Sequence, residues 1–162
     1  KILTLNGHAF SVNSVACSPD GRLIATGSKD KNGTVWNAET GERLIGLKGH
    51  ADRVSSVAFS PDSRLVATGS ADNTVKVWDV VSQKVRTLKG HTKGIIEAAF
   101  SPDGKRLVSV SVDELKNKVN SLKKDLFNFR FRKINGQLED TSKVSQIKKD
   151  VAKILTALNK KN

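Results

Sequence analysis

GHADRVSSVAFSPDSRLVATGSADNTVKVWD, residues 49–79, decides the fold of most of the chain. Val54, Val57 and Phe59, then Leu65 and Ala67, then Val75 and Val77 form short apolar runs with the spacing of half-buried strands. Pro61-Asp62 and Asp72-Asn73 supply turn chemistry between them, and a fourth run, Lys84 to Leu88, follows. The stretch therefore reads as four short antiparallel strands.

Outward from it the same phrase recurs. Gly-His pairs stand at Gly7-His8, Gly49-His50 and Gly90-His91, 42 and 41 residues apart, a period that marks a repeat architecture. Each pair is followed 11 residues on by a Ser-Pro-Asp turn, at Ser18, Ser60 and Ser101, and in the first two copies Trp36 and Trp78 come 18 residues after that Ser. The repeated Ser-Pro-Asp reads as a turn, with Pro fixing φ and Asp hydrogen-bonding onward, and not as a nucleophile with its acid.

With Gly-His, turn and Trp all in register, residues 1–110 resemble the WD-repeat family, and residues 49–79 resemble one blade of its β-propellers. The resemblance implies that a His, a Ser or Thr of the second strand, a turn Asp and the Trp brace each blade. Carried over, these are His50, Ser70, Asp72 and Trp78 in the second copy, and His8, Ser28, Asp30 and Trp36 in the first. His91 opens the third copy. Because all three His residues belong to Gly-His pairs, none is left as an independent base or metal ligand. The loops after those pairs carry Phe10, Arg53 and Lys93, a candidate protein-binding rim.

The departures matter too. Asn32-Gly33 replaces the Thr74-Val75 of the second copy, which is expected to loosen the third strand, since Gly packs nothing. Asn37 stands where the last Asp is usual. The third copy has its strand from Ile95 to Phe100, its turn and most of a second strand, then stops without a Trp. Two complete blades, one partial blade and a leading strand at Ile2 to Leu5 fall short of the roughly four to eight blades that a ring needs. Open blade edges invite pairing with partner blades or with copies of the same chain.

At Ser109 to Leu115, SVSVDEL, the grammar changes. Ser111 to Glu114 reads as a capping box that opens a helix. Leu115, Val119, Leu122, Leu126 and Phe129 then form one heptad seam, and Val144, Ile147, Val151, Ile154 and Leu158 another. Asn135-Gly136 breaks the register between them and Asp140-Thr141-Ser142 offers caps, so residues 111–162 read as an antiparallel helical hairpin. The fold class expected is α+β: all-β propeller blades over residues 1–110, then the hairpin.

Charge separates the two parts. Residues 1–112 carry 15 basic and 10 acidic side chains, whereas residues 113–162 carry 13 and 6. The shorter segment is more than twice as basic per residue, which points to a polyanion, nucleic acid ahead of membrane. Lys123, Lys124, Arg130, Arg132 and Lys133 crowd the end of the first helix, and Lys148, Lys149 and Lys153 follow on the second. Phe127 and Phe131, interleaved with the arginines, are candidate stacking groups for unpaired bases; for Phe127 a core role weighs equally.

Leu126-Phe127-Asn128, Arg130-Phe131, Gly136-Gln137-Leu138, Thr141-Ser142 and Lys148-Lys149-Asp150-Val151-Ala152 together resemble the large-subunit ribosomal protein of family twenty-nine. That resemblance implies a helical hairpin that binds large-subunit rRNA beside other ribosomal proteins, in the cytoplasm. Lys148, Lys149 and Lys153 stand where Arg is common, which weakens bidentate phosphate contacts.

Cys17 is the only cysteine, so no intrachain disulfide forms and a reducing compartment is compatible. No apolar run reaches the roughly 18 residues of a membrane span, and no signal peptide is evident. Lys1 opens mid-phrase without a Met, which leads us to expect residues upstream. With no phosphate-cradling Gly loop, cysteine cluster or unassigned His, an enzyme, a cofactor, a metal site and a small-molecule substrate are not expected. Two functions stay open: an rRNA-binding structural protein, and a WD-repeat interaction scaffold that self-associates through open blades. Two families meeting mid-blade also fits an engineered or recombined fusion.

Overall fold

The computed structural model describes residues 3–134, 149–150, 152–153 and 156, with helical side chains up to Lys124 in the first helix. It divides into two compact units, Lys1–Ser111 and Val112–Asn162.

The first unit is built from antiparallel strands. β1 (Val12–Cys17), β2 (Leu23–Ser28), β3 (Gly33–Asn37) and β4 (Arg43–Leu47) form one four-stranded sheet in chain order. β5 (Val54–Phe59), β6 (Leu65–Ser70), β7 (Val75–Asp79) and β8 (Val85–Leu88) form a second, and β9 (Ile95–Phe100) and β10 (Leu107–Ser111) pair as a third. Registers repeat as closely as the sequence does: Leu23 faces Asn37 and Gly27 faces Gly33, as Leu65 faces Asp79 and Gly69 faces Val75.

Each turn between the first two strands closes through its own side chains. The Ser18 hydroxyl donates to Asp20 Oδ1 at 2.6 Å, and Ser18 Oγ accepts the Leu23 amide while Asp20 accepts the Arg22 amide. The second and third copies do the same with Ser60–Asp62 and Ser101–Asp103. The Ser hydroxyl, then the backbone amide, holds each of these carboxyls below the usual carboxylate range. Asn37, the departure from Asp, keeps its turn: its Oδ1 accepts the Glu39 and Thr40 amides just as Asp79 Oδ1 accepts those of Val81 and Ser82.

The first strand of every copy carries a bulge at its second residue. Val12 pairs with Ser28 but Ser14 with Gly27, and the same shift falls at Ser55 and at Ile96. Straight alternation would put Val54 and Val57 on opposite faces; the extra residue shifts the phase, and both become buried. With Phe59, Val66, Trp78, Ala25, Val35 and Leu47 they form the main core, so β5 packs into the sheet before it. A smaller cluster of Ala67, Val75, Ile95 and Ala98 repeats that joint for β9.

Two expectations need correction. Gly33 does not loosen β3: a β-carbon there would stand 3.1 Å from Leu47 Cδ1, and Gly33 to Trp36 are all buried. Leu47 fills the volume that Val75 fills in the second sheet, where the facing Leu88 is only partly buried. Leu3 to Leu5 form no strand; no ladder partner lies beside them, and an extended segment without one gains nothing from strand geometry. Ile2 lies outside the described residues.

In the second unit, α1 runs from Val112 to Ile134, directly after β10, with Asp113 and Glu114 in its first turn, where negative charge complements the helix dipole. Its described seam residues Leu115, Val119 and Leu122 are shielded, while Lys116, Lys118, Lys123 and Lys124 are exposed. Lys149, Asp150, Ala152, Lys153 and Thr156 are helical, and Thr156 Oγ1 donates to the Ala152 carbonyl. The Asn135-Gly136 break, the Asp140-Thr141-Ser142 caps and the rest of the second seam lie outside the described residues. Among the described residues there is one helix of defined bounds, and no helix is long and apolar enough to cross a membrane.

Candidate functional site

The Gly-His pair places an imidazole against the end of each four-stranded sheet. Gly7 is Gly because the Trp36 ring occupies the place of a side chain: a β-carbon would meet Cη2 at 3.1 Å. His8 then bonds Asp30 Oδ2 through Nδ1 at 2.8 Å and Thr26 Oγ1 through Nε2 at 2.7 Å, and Trp36 Nε1 donates to the same Thr26 oxygen at 2.8 Å. His50, Asp72, Thr68 and Trp78 repeat this at 2.8, 2.8 and 2.9 Å.

Donor and acceptor roles follow from the chemistry. A carboxylate only accepts, so Nδ1 carries a proton, and the Thr hydroxyl takes the indole N–H. With a neutral imidazole, the form that burial favours for His50, the Thr hydroxyl donates to Nε2 and the chain runs from indole to hydroxyl to imidazole to carboxylate. Burial pulls the His50 pKa down most strongly, against the hydrogen bond and charge of Asp72. Burial raises the Asp72 carboxyl, but hydrogen bonds from Thr74, the Ala51 amide and His50 outweigh it and hold it at about 2. Asp30 is lowered as well, its burial outweighed by His8 and the Asn32 and Ala9 amides; it lacks the hydroxyl that Thr74 donates at 2.6 Å, because Asn32 stands there.

The residue between imidazole and indole is therefore Thr26 or Thr68, not Ser28 or Ser70. Residues two apart on a strand share a face, so both hydroxyls point the same way. Trp36 lies diagonally across from Thr26, while Ser28, at the strand end, donates toward the Phe10 and Ser11 carbonyls and accepts the Asp30 amide. Ser70 does the same with Asp52, Arg53 and Asp72. The missed signal was a constant offset: Thr26, Thr68 and Ser109 each lie 18 residues after the His. His91 Nε2 indeed bonds Ser109 Oγ at 2.8 Å. Counting the 22 residues from His to Asp onward from His91 gives Asp113, in the first turn of α1. Ser111 to Glu114 thus carries the strand-end phrase and the helix opening in the same letters.

Of the rim residues, Phe10 is 64 % exposed and Lys93 is exposed, while Arg53 is partly buried. Among the basic residues Lys123, Lys124, Lys149 and Lys153 are exposed on helical backbone, and Lys149 and Lys153, four apart, share a helix face. Phe127, Arg130, Phe131, Arg132 and Lys133 lie on the backbone of α1 with side chains outside the described set, as is Lys148. Among the described residues no cluster of His, Cys, Asp or Glu could hold a metal, and no buried side-chain polar atom lacks a partner. Cys17 is exposed.

Comparison with known proteins divides the chain the same way. The family model of the WD domain, G-beta repeat, matches residues 1–37, 41–79 and 82–114, and that of the ribosomal L29 protein matches residues 105–161. Large ribosomal subunit protein uL29 of Pelagibacter ubique is 52% identical over 52 residues, 32% of this chain and 82% of that protein. Its counterpart from Mycoplasmopsis pulmonis is 49% identical over 51 residues, 32% of this chain and 78% of that protein. Among solved structures, the WD40 repeats of RRP9 and the structure of U3-55K both align with a TM-score of 0.64 and 28% identity over 67% of this chain. The chain spans 35% and 36% of those two structures. By these matches the chain belongs to the WD-repeat family through residues 1–114 and to the ribosomal L29 family through residues 105–161.

Proposed function

We propose that the chain is a non-enzymatic binding protein in which residues 111–162 dock on large-subunit rRNA, beside ribosomal proteins, and residues 1–110 serve as its protein-binding part. The observation that carries this reading is the uL29 likeness, which takes in 82% of the Pelagibacter protein. The exposed Lys123, Lys124, Lys149 and Lys153 support it, because lysines free to reach solvent can neutralise phosphates. Arg130, Arg132, Lys133 and Lys148 add charge, and Phe127 and Phe131 supply faces for stacking. The second seam closes these residues into an antiparallel hairpin. A complex of this kind is cytoplasmic and ribosome-associated, and needs no cofactor.

Filter binding to large-subunit rRNA tests it. Replacing Arg130, Arg132, Lys148 and Lys149 with Gln removes four phosphate partners and should flatten the dependence of log K on log salt by about 3. Binding that survives this change undiminished rules the rRNA role out.

A scaffold role of the blades is the second reading, favoured by the exposure of Phe10 and Lys93. The overlap of the two family matches at residues 105–114 supports the reading of the chain as an engineered or recombined fusion. An intact mass and a peptide spanning Val110 to Leu115 test that both parts are one polypeptide.

A further inference from the structure

The outermost strands of the two complete sheets occupy the same place in the repeat, yet only one of them offers a straight edge. Among the described residues, β4 and β8 each have a ladder neighbour on one side only. β4 slips its register between Val35 and Trp36, where Leu44 is the extra residue. The Arg43 guanidinium also reaches back over Gly46, where a β-carbon would stand 2.8 Å from its Nη2. A bulge twists an edge out of line, and a guanidinium lying along it hinders approach. β8 pairs with β7 without a shift, from Val75 with Leu88 to Trp78 with Val85, and Lys84 to Thr87 are all exposed.

The ladder fixes which groups of β8 face outward. The Asp79 amide donates to the Lys84 carbonyl at 2.9 Å, and in an antiparallel pair the residues that bond inward alternate with those that do not. Arg86 and Leu88 therefore bond to β7, while Val85 and Thr87 each turn an N–H and a C=O away from it. Side chains alternate as well, so Lys84 and Arg86 share one face of the strand and Val85 and Thr87 the other. Val85 is 50 % exposed, and Lys76 Nζ donates to Thr87 Oγ1 at 2.8 Å, which adds a cation to the second face. From Lys84 to Lys89 the chain reads KVRTLK, three cations and no acid.

We propose that β8 is a docking edge for an acidic, extended peptide segment of a partner protein, which adds a strand to this sheet with carboxylates facing Lys84 and Arg86 and an apolar side chain facing Val85. Outward donors and outward acceptors alternate along the edge, and a peptide backbone answers both, whereas the phosphates of a nucleic acid only accept. Charge then chooses among peptides. A second copy of β8 laid antiparallel would set cation against cation, the protection by which edge strands avoid their own kind. An acidic segment turns that protection into attraction. Across from Arg86 an added antiparallel strand forms a pair without mutual hydrogen bonds, the kind whose side chains stand closest, so Arg86 is the position that reads a carboxylate best. The edge includes neither the rim residues nor the L29-like segment, so loss of rRNA binding and loss of peptide binding are separate results.

Fluorescence anisotropy with the full chain and a labelled eight-residue peptide of alternating Glu and Val tests it, at physiological salt. In the docked strand the Val residues face Val85 and Thr87 and turn their own amides toward β8, while the Glu amides point away. N-methylation of the Val amides should therefore weaken binding about tenfold or more, and N-methylation of the Glu amides should leave it unchanged. Thr87→Pro removes an outward amide and no ladder bond, so it should weaken binding to a similar degree while the urea midpoint holds. Lys84→Glu with Arg86→Glu, both exposed positions, should transfer binding to a peptide of alternating Lys and Val. The proposal fails if the alternating Glu-Val peptide does not bind, or if the two methylated peptides bind alike, since charge alone would then hold them. It also fails if a thymidine oligonucleotide displaces the peptide and is itself released by the charge reversal but not by Thr87→Pro, which would make the surface a polyanion site.

Discussion

Thr68 is the residue on which the second blade's polar chain turns, since its one hydroxyl serves both Trp78 and His50. Thr68→Val keeps the shape but strands a buried indole N–H and a buried imidazole nitrogen, and should cost about 2–4 kcal/mol by urea denaturation. Thr68→Ser keeps the hydroxyl, as Ser109 does in the third copy, and should cost about 1 kcal/mol. Equal losses for the two would mean that packing, and not the hydroxyl, matters. The same chain sets a pH dependence. His50 is held below its usual 6.5, so the unfolded chain takes up a proton first as pH falls through 6.5, and stability declines from there. Asp72, at about 2 against 3.8, keeps its charge in the fold while the unfolded chain is already protonating, so a second decline falls between those values. Urea midpoints measured from pH 8 to pH 2 should show both steps, and His50→Gln should remove the upper one.

At the scale of strands and sheets, the joint glycines are the sensitive points. Gly27→Ala sets a methyl 2.6 and 2.9 Å from two buried valines on a neighbouring strand, so something must move, at a cost of about 1–3 kcal/mol. Val54→Ala, which clears the nearer of those contacts, should make Gly27→Ala less damaging than it is alone; strict additivity would show that the two do not meet. These positions also mark where reading the letters stops short. Strand order was legible because Gly-His, Ser-Pro-Asp and Trp repeat at fixed distances, and a repeat that keeps its distances keeps its register. The choice of Thr26 over Ser28 was not, because two hydroxyls two residues apart face the same way and only the diagonal to Trp36 separates them. Gly33 misled for a related reason: a missing side chain signals a void only if the facing strand leaves it empty, and Leu47 does not. The heptad seam of α1 was legible as far as Leu122, because a helix face is set by spacing alone.

For the whole chain, charge is the property that reaches furthest from any one contact. The formal net charge is +12, of which +7 belongs to residues 113–162, so attraction to a polyanion should be concentrated in the L29-like part. Lys123, Lys124, Lys149 and Lys153 are all exposed. Replacing all four with Gln lowers the net charge to +8, and if each meets one phosphate, the slope of log K against log salt for rRNA should fall by about 3. The urea midpoint of the β-sheets should stay within about 0.5 kcal/mol of the original, as surface changes away from packing usually do. Replacing Lys29, Lys31, Lys84 and Lys89 of the blades changes the net charge equally and serves as the control. If both sets flatten the slope alike, the attraction belongs to net charge in general and the basic C-terminal segment has no privileged part in it. If only the first does, the polyanion sits on the L29-like segment, and the blades are left free for protein contacts.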